Sequence, residues 1–118
     1  MRVILLILSL VVSLNVSATD TGNVLLADCA EVMEPRSDKN INILNASVCV
    51  SFIHGMRIAT DIHQHQLKVS LFCTPHKVSA MQTVRIVYKY LQEHPEKLHE
   101  SKNWLVLYAL EEAFPCNK

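Results

Sequence analysis

Glycine is nearly absent from this sequence: Gly22 and Gly55 are the only two among 118 residues. A β-sandwich needs many turns, and tight turns draw heavily on glycine, so the shortage leans the composition towards helices. Net charge is absent too, since eleven Lys and Arg balance eleven Asp and Glu. That balance argues against nucleic acid or anionic lipid as the main partner. Closely spaced cysteines are missing. The gaps between the four are roughly twenty residues or more, whereas a four-thiolate zinc site uses pairs such as C-x-x-C. G-x-S-x-G, H-E-x-x-H and a Gly-rich phosphate loop do not occur, so no metal or cofactor is expected and an enzyme is disfavoured.

What is present begins with a leader. Arg2 is followed by an apolar run from Val3 to Leu14, and Val16-Ser17-Ala18 puts small residues at a cleavage site. This pattern reads as a signal peptide over residues 1–18, cut after Ala18 and sent through the Sec pathway. No cysteine follows the run directly, which excludes a lipoprotein pattern. No comparable run follows later, so the exported chain is expected to carry no membrane anchor. Residues 19–118 suffice for one domain with one core. Four cysteines in such a domain, Cys29, Cys49, Cys73 and Cys116, read as two disulfides. Each contributes on the order of 2–4 kcal/mol.

Helical periodicity recurs four times. Leu25, Leu26, Cys29, Val32 and Met33 form one stripe, with Thr21 or Asn23 as cap and Pro35 as stop. Residues 35–42 are polar and turn-rich. A second helix is expected to start near Asn45 or Ser47, with Cys49, Phe52, Ile53, Met56, Ala59 and Ile62 on one side. Gly55 inside it suggests a close helix crossing. Ser79 and Gln82 form a capping-box pattern for a third helix that runs to about Glu93. His94-Pro95 stops it, and Pro95 with Glu96 suits a new first turn. Ser101 is a candidate cap for the last helix. Trp104, Leu107, Tyr108 and Leu110 to Phe114 are expected on its apolar side, and Tyr88, Tyr90, Trp104 and Tyr108 are expected in the core and in helix–helix contacts. The expected fold is therefore all-α: a small bundle of about four helices in two hairpins.

Four cysteines allow three pairings. Consecutive helices joined by a short loop pack antiparallel, which brings the outer ends of a hairpin together. Cys73 lies just before the third helix and Cys116 just after the fourth. Cys29 is late in the first helix and Cys49 early in the second. Geometry thus ranks Cys29–Cys49 with Cys73–Cys116 first.

Asp61-Ile62-His63-Gln64-His65-Gln66 is the most polar part of the second helix. His63 and His65 are two apart and diverge by about 200°, and no third ligand is placed by spacing, so a metal site is disfavoured. A solvated or partner-facing surface suits them better.

The run Phe72-Cys73-Thr74-Pro75, with Val78, Gln82, Tyr90-Leu91, His94-Pro95-Glu96, Leu98-His99, Ala109-Leu110 and Phe114-Pro115-Cys116, resembles the Rap/Tai-type immunity proteins of type VI secretion. Cys49-Val50-Ser51-Phe52-Ile53-His54-Gly55 looks like that family's C-x-G-[YF]-I-x-G element, with Ser51 in place of its glycine. Lys77 stands where the family often has glycine. The resemblance implies an all-α periplasmic protein, often a homodimer. It implies binding to a cognate peptidoglycan amidase effector, blocked when an element of the inhibitor enters its groove. The matched motif is mostly Cys, Pro and apolar residues, so it transfers the scaffold and few contact residues. On physical grounds the candidate contacts are Asp61, His63, His65 and Lys68 near a helix end, or Glu96 and His99 in the 93–102 tip. The alternative is a periplasmic acid-stress chaperone of the Hde type or another small helical binding protein. The six histidines would charge it below about pH 6.

Overall fold

The computed structural model describes residues 20–34 and 40–117. The leader, its cleavage after Ala18 and most of the 35–42 loop lie outside the described residues. Among these residues the helices are α1 (Gly22–Met33), α2 (Ile43–Leu67), α3 (Ala80–Glu93) and α4 (Lys102–Ala113), with a 3-10 turn at Pro95–Lys97. They form two hairpins closed by Cys29–Cys49 and Cys73–Cys116. The fold and the favoured pairing are as the sequence implied.

Helix α3 is the central element. Thr83, Val84, Val87, Tyr88, Tyr90 and Leu91 are all buried, and α1, α2 and α4 pack around them. Each fully buried large apolar side chain is worth about 1.5–3 kcal/mol, so a six-residue buried face outweighs the helix's exposed remainder. Thr83 satisfies its hydroxyl by donating to the Ser79 carbonyl at 3.1 Å. Ser79 caps the helix, its hydroxyl accepting from the Gln82 N–H at 3.1 Å. Phe72, in the segment between α2 and α3, is buried as deeply as Leu25 of α1.

Helix α2 starts earlier than the sequence suggested. Asn42 is the N-cap, and its side chain accepts from the Asn45 N–H at 3.2 Å. The Asn42 N–H in turn donates to the Glu31 carboxylate at 3.0 Å, which ties the start of α2 to α1. Asn45 is therefore inside the first turn. Gly55 marks no crossing: it faces outwards, and a side chain there would meet nothing within 4 Å. The close approach occurs at Gly22 instead. A Cβ there would strike the Leu105 side chain and lie 3.2 Å from both the Cα and the carbonyl oxygen of Leu98.

By length and hydropathy α2 is apolar enough to cross a membrane, at 25 residues and a mean hydropathy of 1.3 over its best window. Its Cys49 and Ile53 are nevertheless fully buried in this core, with Cys49 bonded to α1. Only these two residues of α2 are buried.

Helix α4 buries Leu105, Val106, Ala109 and Leu110. Trp104 and Tyr108 point outwards, 58% and 41% exposed, against the expectation that they would be core. Apolar residues run from Trp104 to Leu110 without a break, so they circle the helix and periodicity cannot choose a side. The aliphatic residues won the core, and the two large rings with polar edges were left on the surface.

Candidate partner-binding surface

The C-terminal part of α2 runs past the core. Arg57 ties the helix to the body, its Nη1 donating to the Val78 carbonyl at 3.1 Å. Beyond it Ile58, Ile62 and Leu67 are exposed, so the expected stripe ends as a core face at Met56. Lys68 ends the helix in the left-handed region at φ 55°. A non-glycine residue there costs roughly 1–2 kcal/mol, which the rest of the turn must offset.

Gln64 holds the chain that follows this turn. Its Oε1 accepts from the N–H groups of Leu71 and Phe72, the latter at 3.0 Å. The returning chain is thereby held against α2, with Val69 and Leu71 exposed. Phe72 is buried at the base, and the Cys73 N–H donates to the Phe114 carbonyl at 2.8 Å. The Cys73–Cys116 disulfide clamps the same point. Residues 58–71 thus form a short arm whose base is fixed by Gln64, Phe72 and Cys73, and whose sides carry exposed aliphatic groups.

The arm collects four of the sequence candidates. His63, His65 and Lys68 are exposed on it, and Asp61 is half-buried. Gln64, Leu67, Val69 and Leu71 belong to the same surface and were not singled out from sequence. The alternation Val69-Ser70-Leu71 beside a polar helix end was the available signal. No group of three His, Cys, Asp or Glu could hold a metal ion among the described residues.

Glu96 and His99 lie at the other end of the α3–α4 hairpin, away from the arm. The 14 residues of α3 separate them by about 21 Å. This tip is a docked corner. Gly22 N–H donates to the Glu100 carbonyl at 3.0 Å, and Asn23 donates twice to the Leu98 carbonyl, at 2.9 Å from its backbone and 3.1 Å from its side chain. Lys102 N–H donates to the Asp20 carbonyl at 2.8 Å, and Thr21 pairs with Ser101 in a single β-bridge. Ser101 therefore starts α4 through backbone pairing, with no side-chain cap. Glu96 lies 3.1 Å from His94 Nδ1. Its own backbone N–H, then His94, holds its carboxyl below the usual range. His99 is exposed.

Between the two ends lies the outer face of α4. The Trp104 and Tyr108 rings stack at 6.4 Å between centroids and 24° between planes. Lys97 Nζ donates to the Tyr90 hydroxyl at 3.2 Å and lies 5.6 Å and 5.9 Å from the Tyr90 and Tyr108 ring centres. The Tyr90 hydroxyl is the main reason the Lys97 ammonium is held above its usual range.

A family model described as Rap1a immunity proteins matches residues 21–116. The chain belongs to the Rap1a immunity protein family. The match takes in both hairpins, both disulfides and the arm. The Cys73–Cys116 disulfide lies at the base of the arm. No curated protein and no solved structure matches the chain.

Proposed function

We propose that this Rap1a-family protein is exported to the periplasm and there binds a peptidoglycan amidase delivered by type VI secretion, protecting the cell that makes it. The arm over residues 58–71 enters the amidase's substrate groove and shuts out the wall peptide. Ile58, Ile62, Leu67, Val69 and Leu71 supply apolar contact, and Asp61, His63, His65 and Lys68 supply polar contacts around them. The observation that carries this reading is the exposure of these aliphatic side chains on an element with a fixed base. Pre-ordering limits the entropy lost on binding. An inhibitor of this kind typically buries on the order of 1,600 Å² in total.

The action is steric, and the inhibitor needs no catalytic group of its own. The proposal includes a homodimer, supported by the exposed Ile41, Ile43, Leu44 and Val48 at the start of α2. Light scattering on the purified protein tests that part. The main test mixes the protein with a panel of purified type VI amidases that attack through a Cys/His pair. One amidase is expected to bind and lose activity. The double variant Asp61→Lys/Lys68→Glu is expected to weaken that binding, whereas Glu96→Lys at the docked tip leaves it unchanged. Binding by none of the panel, or the reverse order of the two variants, overturns the reading.

A further inference from the structure

The outer face of α4 carries Trp104, Tyr108, Glu111 and Glu112 at helical positions i, i+4, i+7 and i+8. They form one exposed stripe, opposite the buried Leu105, Val106, Ala109 and Leu110. Neither glutamate has an ion-pair partner among the described residues. The stripe joins the arm. Glu111 lines one cleft with Tyr90, Lys97 and Tyr108, and a second with Ser70, Leu71 and Pro115.

We propose that this stripe is a second docking surface for the same amidase, and that it receives a lysine or arginine from a basic segment beside the amidase's groove. Three observations favour a cation. Lys97 already places an ammonium near the Tyr90 and Tyr108 rings, so the ring cluster accepts positive charge within this chain. Two adjacent, unpaired carboxylates sit at the end of the ring stack nearest the arm. Trp104, more than half exposed, presents the ring face that attracts cations most strongly, and tryptophan is enriched at binding hot spots. The Lys97 hydrogen bond to Tyr90 holds the neighbouring rings in place before the partner arrives. A guanidinium lying over Trp104 could bond Glu111 or Glu112 while the arm occupies the groove.

This inference rests on the amidase reading, and one measurement separates the two. Trp104 is the only tryptophan in the chain, so its emission reports contact at the stripe directly. A tryptophan-free variant of the bound amidase, or one labelled with the non-fluorescent 4-fluorotryptophan, keeps that signal clean. Adding the amidase to the wild type is expected to shift Trp104 emission to shorter wavelength. Trp104→Ala and the double variant Glu111→Gln/Glu112→Gln are each expected to weaken binding at least about tenfold. The glutamine variant is also expected to flatten the loss of affinity between about 50 and 300 mM salt, since it removes the charges being screened. All these positions are exposed, and an unchanged Tm verifies that the variants fold. If arm variants abolish binding while stripe variants bind normally and Trp104 emission stays fixed, this inference falls and the amidase reading stands. If no amidase binds the wild type, both fall together. A shift in Trp104 emission on adding a neutral N-acetylglucosamine oligomer, with none on adding amidase, overturns the cationic assignment in favour of a glycan.

Discussion

Replacing each of the two glycines by alanine should move stability in opposite directions. Both lie in helices, where a glycine costs up to about 1 kcal/mol relative to alanine. At Gly55 the new methyl meets nothing within 4 Å, so only the backbone term acts. Gly55→Ala should therefore stabilise by up to about 1 kcal/mol. At Gly22 the methyl collides with Leu105, which is fully buried and cannot swing into solvent. It also crowds the Leu98 Cα and carbonyl oxygen at 3.2 Å, and backbone yields less readily than a side-chain end. That carbonyl accepts both bonds from Asn23, so moving it strains the docked tip. Overpacking of this kind costs about 1–3 kcal/mol. The helix gain is small at Gly22, the first residue of α1, so the loss dominates. Each kcal/mol moves Tm by about 4–8 °C in a domain of this size. Thermal unfolding followed by circular dichroism should thus show Gly22→Ala below the wild type and Gly55→Ala at or above it. A Gly22→Ala protein as stable as the wild type would refute the packing of α1 against the tip and α4.

The disulfides should separate under mild reductant in the native state. Cys73 is exposed and Cys29 and Cys49 are fully buried, so alkylation should label Cys73 and Cys116 first. By chain entropy the bridge spanning 43 residues contributes about 4 kcal/mol and the one spanning 20 about 3 kcal/mol, so losing the outer bridge should lower the denaturant midpoint markedly. Tyr88 is pushed up to about 12, first by burial and then by donating its hydroxyl hydrogen bond to Glu34. Since its folded value exceeds the usual 10, its contribution is complete below pH 10 and is lost as pH rises towards 12. Tyr88→Phe should remove that alkaline loss, and absorbance at a phenolate wavelength would show whether one tyrosine titrates late. Acidification below about pH 6 should produce no gain in binding to unfolded client proteins, and a strong gain would favour the acid-stress chaperone alternative.

The scaffold was largely legible in the sequence. Cysteine positions relative to predicted helix ends ranked the observed pairing first, because a hairpin brings its outer ends together whatever its side chains do. Ser79, His94-Pro95 and Pro115 marked boundaries through local backbone chemistry, which depends little on tertiary context. The orientation of α4 was not legible, since its apolar residues circle the helix and only packing against α3 selects Leu105 and Val106 over Trp104 and Tyr108. The arm was half legible. Its polar residues stood out, but exposure of Ile58, Ile62 and Leu67 depends on where the core ends. The role of Gly22 was invisible, because a first-turn glycine carries no sign of the side chain packed against it. The docked tip was likewise set by hydrogen bonds between residues far apart in the chain, such as Asn23 and Leu98, 75 positions apart.

The central claim is that the arm blocks the amidase. The direct measurement is peptidoglycan hydrolysis by the amidase that binds this protein, titrated with wild type and with Ile62→Asp/Leu67→Asp. Both substituted residues are more than half exposed, so the variant should keep the wild-type Tm. The account predicts that the wild type stops hydrolysis at a stoichiometric ratio and that the variant leaves it running. Equal inhibition by both proteins, or continued hydrolysis in excess wild type, would contradict it.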